Sequence, residues 1–288
     1  MSRIKNNFAS LLALLFIFIC IFAGAFANFL KIDQNLILKL ANSYLIAYIG
    51  FMISYTDGKK VLILFLPLIF HMGLQIILLN KAMNLDGKRV IDQIIYILAN
   101  FYDLIFVIGA SFLLELTFNK IFGNRFTSII GIVSFCLYFL IVSGNFLSFA
   151  YNYRDLFLYF SFYVMSIRVR SASKIRPVLL FLCLGLILLE IYVKNSYRMV
   201  DYQFLLAMFP LTYMSLKSIS NDKRSDFLQF LIFSLIYLYP TFLVLVSTLF
   251  KIQSLALVII SCLASLLVAN ILYRLRIKFL SYLLIGIR

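Results

Sequence analysis

A single histidine occurs among 288 residues, His71, and it lies in "KKVLILFLPLIFHMGLQ" (59–75), where most neighbours are hydrocarbon side chains. Imidazole, titrating near pH 6.5 when unperturbed, both takes and gives a proton around neutrality. The other ionisable group placed in the middle of an apolar stretch is Asp103, in "FYDLIFVIGASFLLE". Charged and titrating groups are costly in hydrocarbon, so each is a candidate site by default. Lys59 and Lys60 open the histidine segment, and Arg125 of "FGNRF" supplies a further cation. If 60–71 is helical, His71 stands about 16 Å along the axis from Lys60. A basic cluster at that distance can hold phosphates while a long thin substituent reaches the imidazole, and a coenzyme A thioester has that shape. The plainer alternative makes the lysines ordinary membrane-surface anchors. It makes His71 and Asp103 interhelical hydrogen-bonding groups, each bond worth about 0.6 kcal/mol.

The elements that must carry these residues follow from composition. Hydrophobic residues make up 64% of the chain and charged residues 13%, more apolar surface than a soluble domain of this length can cover. Apolar stretches of roughly 20 residues, the length a bilayer core demands of a helix, recur from end to end. The ten-residue alternation of an outer-membrane barrel is missing. The fold class is therefore all-α: a polytopic bundle of about ten transmembrane helices, drawn at 8–30, 35–55, 61–79, 91–117, 127–149, 155–169, 177–193, 202–218, 226–250 and 252–273. Hydrophilic punctuation such as "NKAMNLDGKR" and "RVRSASKIRP" separates them, and no linker is long enough for a second domain, so residues 1–288 read as one integral membrane domain. The first stretch, behind Arg3 and Lys5, reads as a retained helix rather than a signal peptide because it outruns a usual signal core.

Within this frame the third and fourth spans are joined by a short outer loop, and a His71–Asp103 contact at similar depth is expected. Pro67, His71 and Gln75 share one helical face. So do Gln93, Tyr96, Asn100, Asp103 and Ser111, and the two stripes together could line a wet internal cavity. Cys20, Cys136, Cys183 and Cys262 are scattered through apolar runs without metal-ligand spacing and read as small buried hydrophobes. No metal site is expected. The net charge of +15 reflects topology and anionic lipid rather than nucleic acid.

These residues resemble the acyltransferase-3 family of integral membrane acyltransferases. That family carries a basic residue, ten intervening positions and a histidine, as in Lys60, "VLILFLPLIF" and His71. Its following Asp- and Phe-rich helix is similar to "FYDLIFVIGASFLLE", with Asp103 on the family's aspartate; Arg125 matches its inner-loop cation. Late in the chain, "FSLIYLYPTFLVLV" resembles the family's Ile-Tyr-Leu segment around Tyr237 and Pro240. The chain departs from the pattern in placing the histidine in its third span and in the order of "FVIGAS". The resemblance implies transfer of an acyl group from cytoplasmic acyl-CoA to a hydroxyl of a carbohydrate or lipid-linked glycan. It makes His71 the general base, Asp103 its orienting partner, and Lys59, Lys60 and Arg125 the donor-binding cations. A transporter, flippase or polymerase for lipid-linked sugars is the rival class, suggested by 49 Tyr and Phe residues that could line a sugar or lipid path.

Positive charge orients the chain. With the N-terminus inside, 17 of the 26 Lys and Arg residues fall on the cytoplasmic side, which places both termini in the cytoplasm of a multi-pass plasma or bacterial inner membrane protein. Reporter fusions at Arg288 and within 80–90 should read cytoplasmic and external respectively; an external Arg288 reporter overturns this orientation.

Overall fold

Backbone groups in hydrocarbon must find their hydrogen bonds within the chain, and the computed structural model of the protein meets that demand with helices. It describes residues 2–30, 33–54, 59–83, 92, 97, 102–143, 154–171, 200–217, 226–250, 255–276 and 278–285, and no strand occurs among them. The helices are α1 (Ser2–Ile21), α2 (Ala23–Leu30), α3 (Gln34–Ser54), α4 (Lys59–Met83), α5 (Asp103–Ser143), α6 (Arg154–Ser171), α7 (Val200–Lys217), α8 (Asp226–Phe250), α9 (Leu255–Leu275) and α10 (Lys278–Ile285). Local signals set several ends. Asp33 caps α3, its Oδ1 accepting the Asn35 N–H at 3.0 Å while its carbonyl accepts from Leu36 and Ile37, the usual service of an Asp before a helix. Arg276 adopts φ 51° and its N–H returns to the Leu272 carbonyl at 3.1 Å, closing α9 with a left-handed cap.

Among the described residues, four helices are long and apolar enough to cross a membrane: Gln34–Ile53, Leu104–Gly123, Phe227–Leu249 and Leu255–Leu275; counting the bent pair Phe8–Ile21 and Ala23–Phe29 as one span makes five. Helical segments occupy nine of the ten stretches drawn from sequence, while 177–193 lies outside the described residues. The fourth stretch, 91–117, does not run as one helix, because Tyr102 is non-helical and α5 starts at Asp103. A helix start is a favourable position for an acidic residue, facing the positive end of the macrodipole. The anticipated break in "NKIFGNR" falls at Gly123, whose φ of 80° and ψ of 170° interrupt α5; only glycine takes that conformation cheaply.

The chain divides into two compact units, one formed by 1–9, 23–55 and 107–222, the other by 10–22, 56–106 and 223–288. In the first, α3 packs on α2, α6 and α7, and α6 on α7. Small residues allow α6 to be approached closely: a Cβ added at Gly50 would stand 2.6 Å from Ser166 Oγ and 2.8 Å from Tyr163 Cδ2, and one at Gly131 would stand 2.8 Å from Val164 Cγ1. Such small-residue contacts are how helices gain packing energy where lipid removes the hydrophobic drive between them. Tyr44, fully buried, ties α3 to α1 and α7 through Ala9 O at 3.1 Å and Ser215 Oγ at 3.0 Å.

In the second unit, α8 packs on α4, α9 and α10, and α4 on α10. The faces of α9 are sorted as lipid requires: Ser261, Cys262, Ser265 and Ala269 are buried, while Leu263, Leu267 and Ile271 are exposed. Cysteines follow no common rule, since Cys262 is buried but Cys136 is exposed; the expectation of uniform burial fails because a thiol is apolar enough to face hydrocarbon. Gly50→Ala should destabilise the protein by about 1–3 kcal/mol through overpacking. Gly73→Ala, with open space around it, should not. Thermal unfolding in detergent compares them, and equal melting temperatures would deny the close α3–α6 approach.

Candidate functional site

Four elements of the second unit converge on His71. On α4, Pro67, His71 and Gln75 recur every four residues, and all three are buried; His71 is 1% and Gln75 0% exposed. On α8, Tyr237 and Thr241 are one turn apart beside Pro240, which sits inside the helix. Tyr102 stands immediately before α5, and its carbonyl accepts the Phe106 N–H at 2.9 Å. The left-handed cap at Arg276 ends α9 before α10, and α10 packs on α4 and α8 and brings Leu284 to the imidazole.

The contacts define the chemistry of the ring. His71 Nε2 lies 2.9 Å from the Leu284 carbonyl oxygen, and a carbonyl only accepts, so Nε2 carries the hydrogen. In the neutral ring Nδ1 is then the basic nitrogen, and it accepts the Thr241 hydroxyl at 2.9 Å. The Thr241 oxygen receives Gln75 Nε2 at 3.3 Å and faces the Tyr102 hydroxyl at 3.3 Å. Gln75 Nε2 also donates to the Tyr102 hydroxyl at 3.0 Å, and Tyr102 donates to the Tyr237 carbonyl at 3.4 Å. The Tyr237 ring is stacked on the imidazole with centroids 6.2 Å apart, and Phe70 meets it edge-on at 5.6 Å. One acceptor is left over: Gln75 Oε1 is buried without a partner among the described residues. A protonated ring is also accommodated, because Thr241 then accepts from Nδ1 and turns its own hydrogen to the Tyr237 carbonyl, 3.5 Å away.

The expected faces and the expected partners fare differently. The Pro67–His71–Gln75 stripe does line a polar centre, but both ring nitrogens of His71 go to Thr241 and Leu284 rather than to a carboxylate. Asp103 is the first residue of α5, one position beyond Tyr102. Its side chain, those of Lys59, Lys60 and Arg125, and the residues Gln93, Tyr96 and Asn100 lie outside the described residues. Ser111 is buried, in the other unit. Thr241 and Tyr102 escaped the sequence reading. Thr241 had a signal, four residues beyond Tyr237 and next to Pro240; a backbone carbonyl such as Leu284 O has none.

A second polar centre, in the first unit, was also missed. Glu115, 9% exposed, lies in the candidate span Leu104–Gly123. Its Oε1 accepts Asn119 Nδ2 at 2.6 Å, and Asn119 Oδ1 accepts Thr127 Oγ1 at 3.0 Å and Arg168 Nη2 at 3.5 Å. Thr127 Oγ1 also reaches the Gly123 carbonyl at 3.2 Å, so this chain of bonds spans the break in α5.

No protein-family model matches the chain, and no curated protein or solved structure shows detectable similarity to it. The site is therefore read from its own geometry. Tyr102→Phe keeps the ring and removes the hydroxyl joining Gln75, Thr241 and the Tyr237 carbonyl. Leaving a buried donor unmatched costs about 1–3 kcal/mol, so the melting temperature in detergent should fall; an unchanged value would mean the hydroxyl bears no structural load.

Proposed function

We propose that the protein is a ten-span membrane acyltransferase with both termini in the cytoplasm. It moves an acyl group, acetyl in the simplest case, from cytoplasmic acyl-CoA to a hydroxyl of an envelope or exported carbohydrate or lipid-linked glycan. The observation that carries the reading is the state of His71: Nε2–H is anchored on the Leu284 carbonyl, and Nδ1 is aimed at a hydroxyl 2.9 Å away. A general base for acyl transfer needs a fixed ring, a defined tautomer and a hydroxyl within hydrogen-bond reach. The helical run from Lys59 to Met83 supports the donor arm, since it carries Lys60 and His71 on one helix about 16 Å apart along the axis. Lys59, Lys60 and Arg125 hold the donor's phosphates in this reading. In the same reading Asp103, next to Tyr102 in sequence, favours the imidazolium formed as the hydroxyl proton moves.

The deciding measurement is thioester consumption by detergent-solubilised protein given acetyl-CoA and a glycan acceptor. His71→Ala should cut turnover by about 10²- to 10⁴-fold, the usual contribution of a general base, while the variant remains inserted and monodisperse. Equal turnover by the variant removes His71 from the chemistry. A wild type that consumes no thioester but carries a lipid-linked sugar across vesicles would instead place the protein among transporters.

A further inference from the structure

The hydroxyl bonded to the basic nitrogen of His71 belongs to the protein itself. Thr241 Oγ1 meets Nδ1 at 2.9 Å, the ring is oriented from its far side by the Leu284 carbonyl at 2.9 Å, and Gln75 Nε2 donates to the same hydroxyl oxygen at 3.3 Å. A hydroxyl on a base, with the base held by a third group, is the signature of an activated nucleophile. From this arrangement we infer that Thr241 is the nucleophile that carries the acyl group between donor and acceptor. The inference rests on the acyl-transfer reading and adds a covalent intermediate to it.

The two half-reactions balance. In the first, Thr241 Oγ1 passes its proton to His71 Nδ1 and attacks the thioester carbonyl carbon. The carbon–sulfur bond breaks, and the sulfur leaves with the proton from the imidazolium, giving free coenzyme A thiol and an acyl-threonine ester. Acylation strips Thr241 of its hydrogen and so vacates Nδ1. In the second, the acceptor hydroxyl gives its proton to Nδ1 and attacks the ester carbonyl. The bond from the acyl carbon to Oγ1 breaks, and Oγ1 recovers the proton. Gln75 Oε1, without a partner among the described residues, offers an acceptor for a further substrate hydroxyl next to this centre, since the same carboxamide's nitrogen already bonds Thr241.

The test withholds the acceptor. Full-length protein in detergent is given acetyl-CoA labelled in the acetyl group, then denatured and mapped by mass spectrometry. Wild type and Thr241→Ser should carry one acetyl group on the 226–250 segment; Thr241→Val and His71→Ala should carry none. Labelled coenzyme A thiol should exchange into acetyl-CoA with wild type and Thr241→Ser in the absence of acceptor, which direct transfer does not permit. With acceptor, Thr241→Val should lose turnover by about 100-fold or more, and Thr241→Ser should restore much of it at a folded fraction checked by size-exclusion profile. Thioester consumption with acceptor but neither label nor exchange, or Thr241→Val turning over like wild type, overturns the covalent role and leaves acyl transfer standing, with Thr241 as a structural hub. No thioester consumption by wild type even with acceptor fails both.

Discussion

A buried imidazole has two nitrogens that must both be satisfied, and that constraint organises the second unit. Each ring nitrogen needs a partner of the opposite character, and each is met from a different helix, Thr241 of α8 and the Leu284 carbonyl of α10. Those bonds fix where α8 and α10 sit against α4, which in turn fixes Gln75 one turn on and Tyr102 beyond it. A leucine at 71 would pack without any of these demands. Keeping the histidine commits four chain segments to one arrangement, whether the outcome is chemistry or a specified packing.

The first unit meets a similar constraint by other means. Glu115 is balanced through Asn119 and by the nearby guanidinium of Arg168, and the same hydrogen-bonded chain secures the turn at Gly123. Here a carboxyl is met locally along α5 and, through Asn119, across to α6, with no dependence on distant backbone. Close packing of α6 against Gly50 and Gly131 brings the partner helix near enough for that balance. Both units therefore combine small-residue contacts with a short polar chain, the pairing that replaces hydrophobic collapse inside a bilayer.

Much of the frame was legible because composition and period are written in side chains. The all-helical class, the positions of most helices, and the shared face of Pro67, His71 and Gln75 follow from apolar run length and steps of four. The start of α5 at Asp103 was not legible: nothing in "IIYILANFYDLIF" distinguishes a continuing helix from one that begins anew after Tyr102. The hydroxyl and carbonyl partners of His71 were not legible for a different reason. Charge suggested Asp103, but hydroxyl and carbonyl groups satisfy a neutral imidazole as well as a carboxylate does, and they are too common in sequence to stand out. Glu115 was passed over because it lay near the end of a drawn span, where a carboxylate looks solvent-bound.

The carbonyl that orients His71 belongs to a residue 213 positions later in the chain, and that separation has a consequence for synthesis. At roughly 5–20 residues per second, the ribosome needs on the order of 10–40 s to make the intervening segment. During that interval His71 has neither final partner made, since Thr241 follows 170 positions after it. The nascent helix must leave its imidazole to other contacts, and only later exchange them for its own chain. Helix α4 thus has a built-in waiting state, and any change that lengthens synthesis between 71 and 284 prolongs the exposure of an unmatched imidazole to quality control.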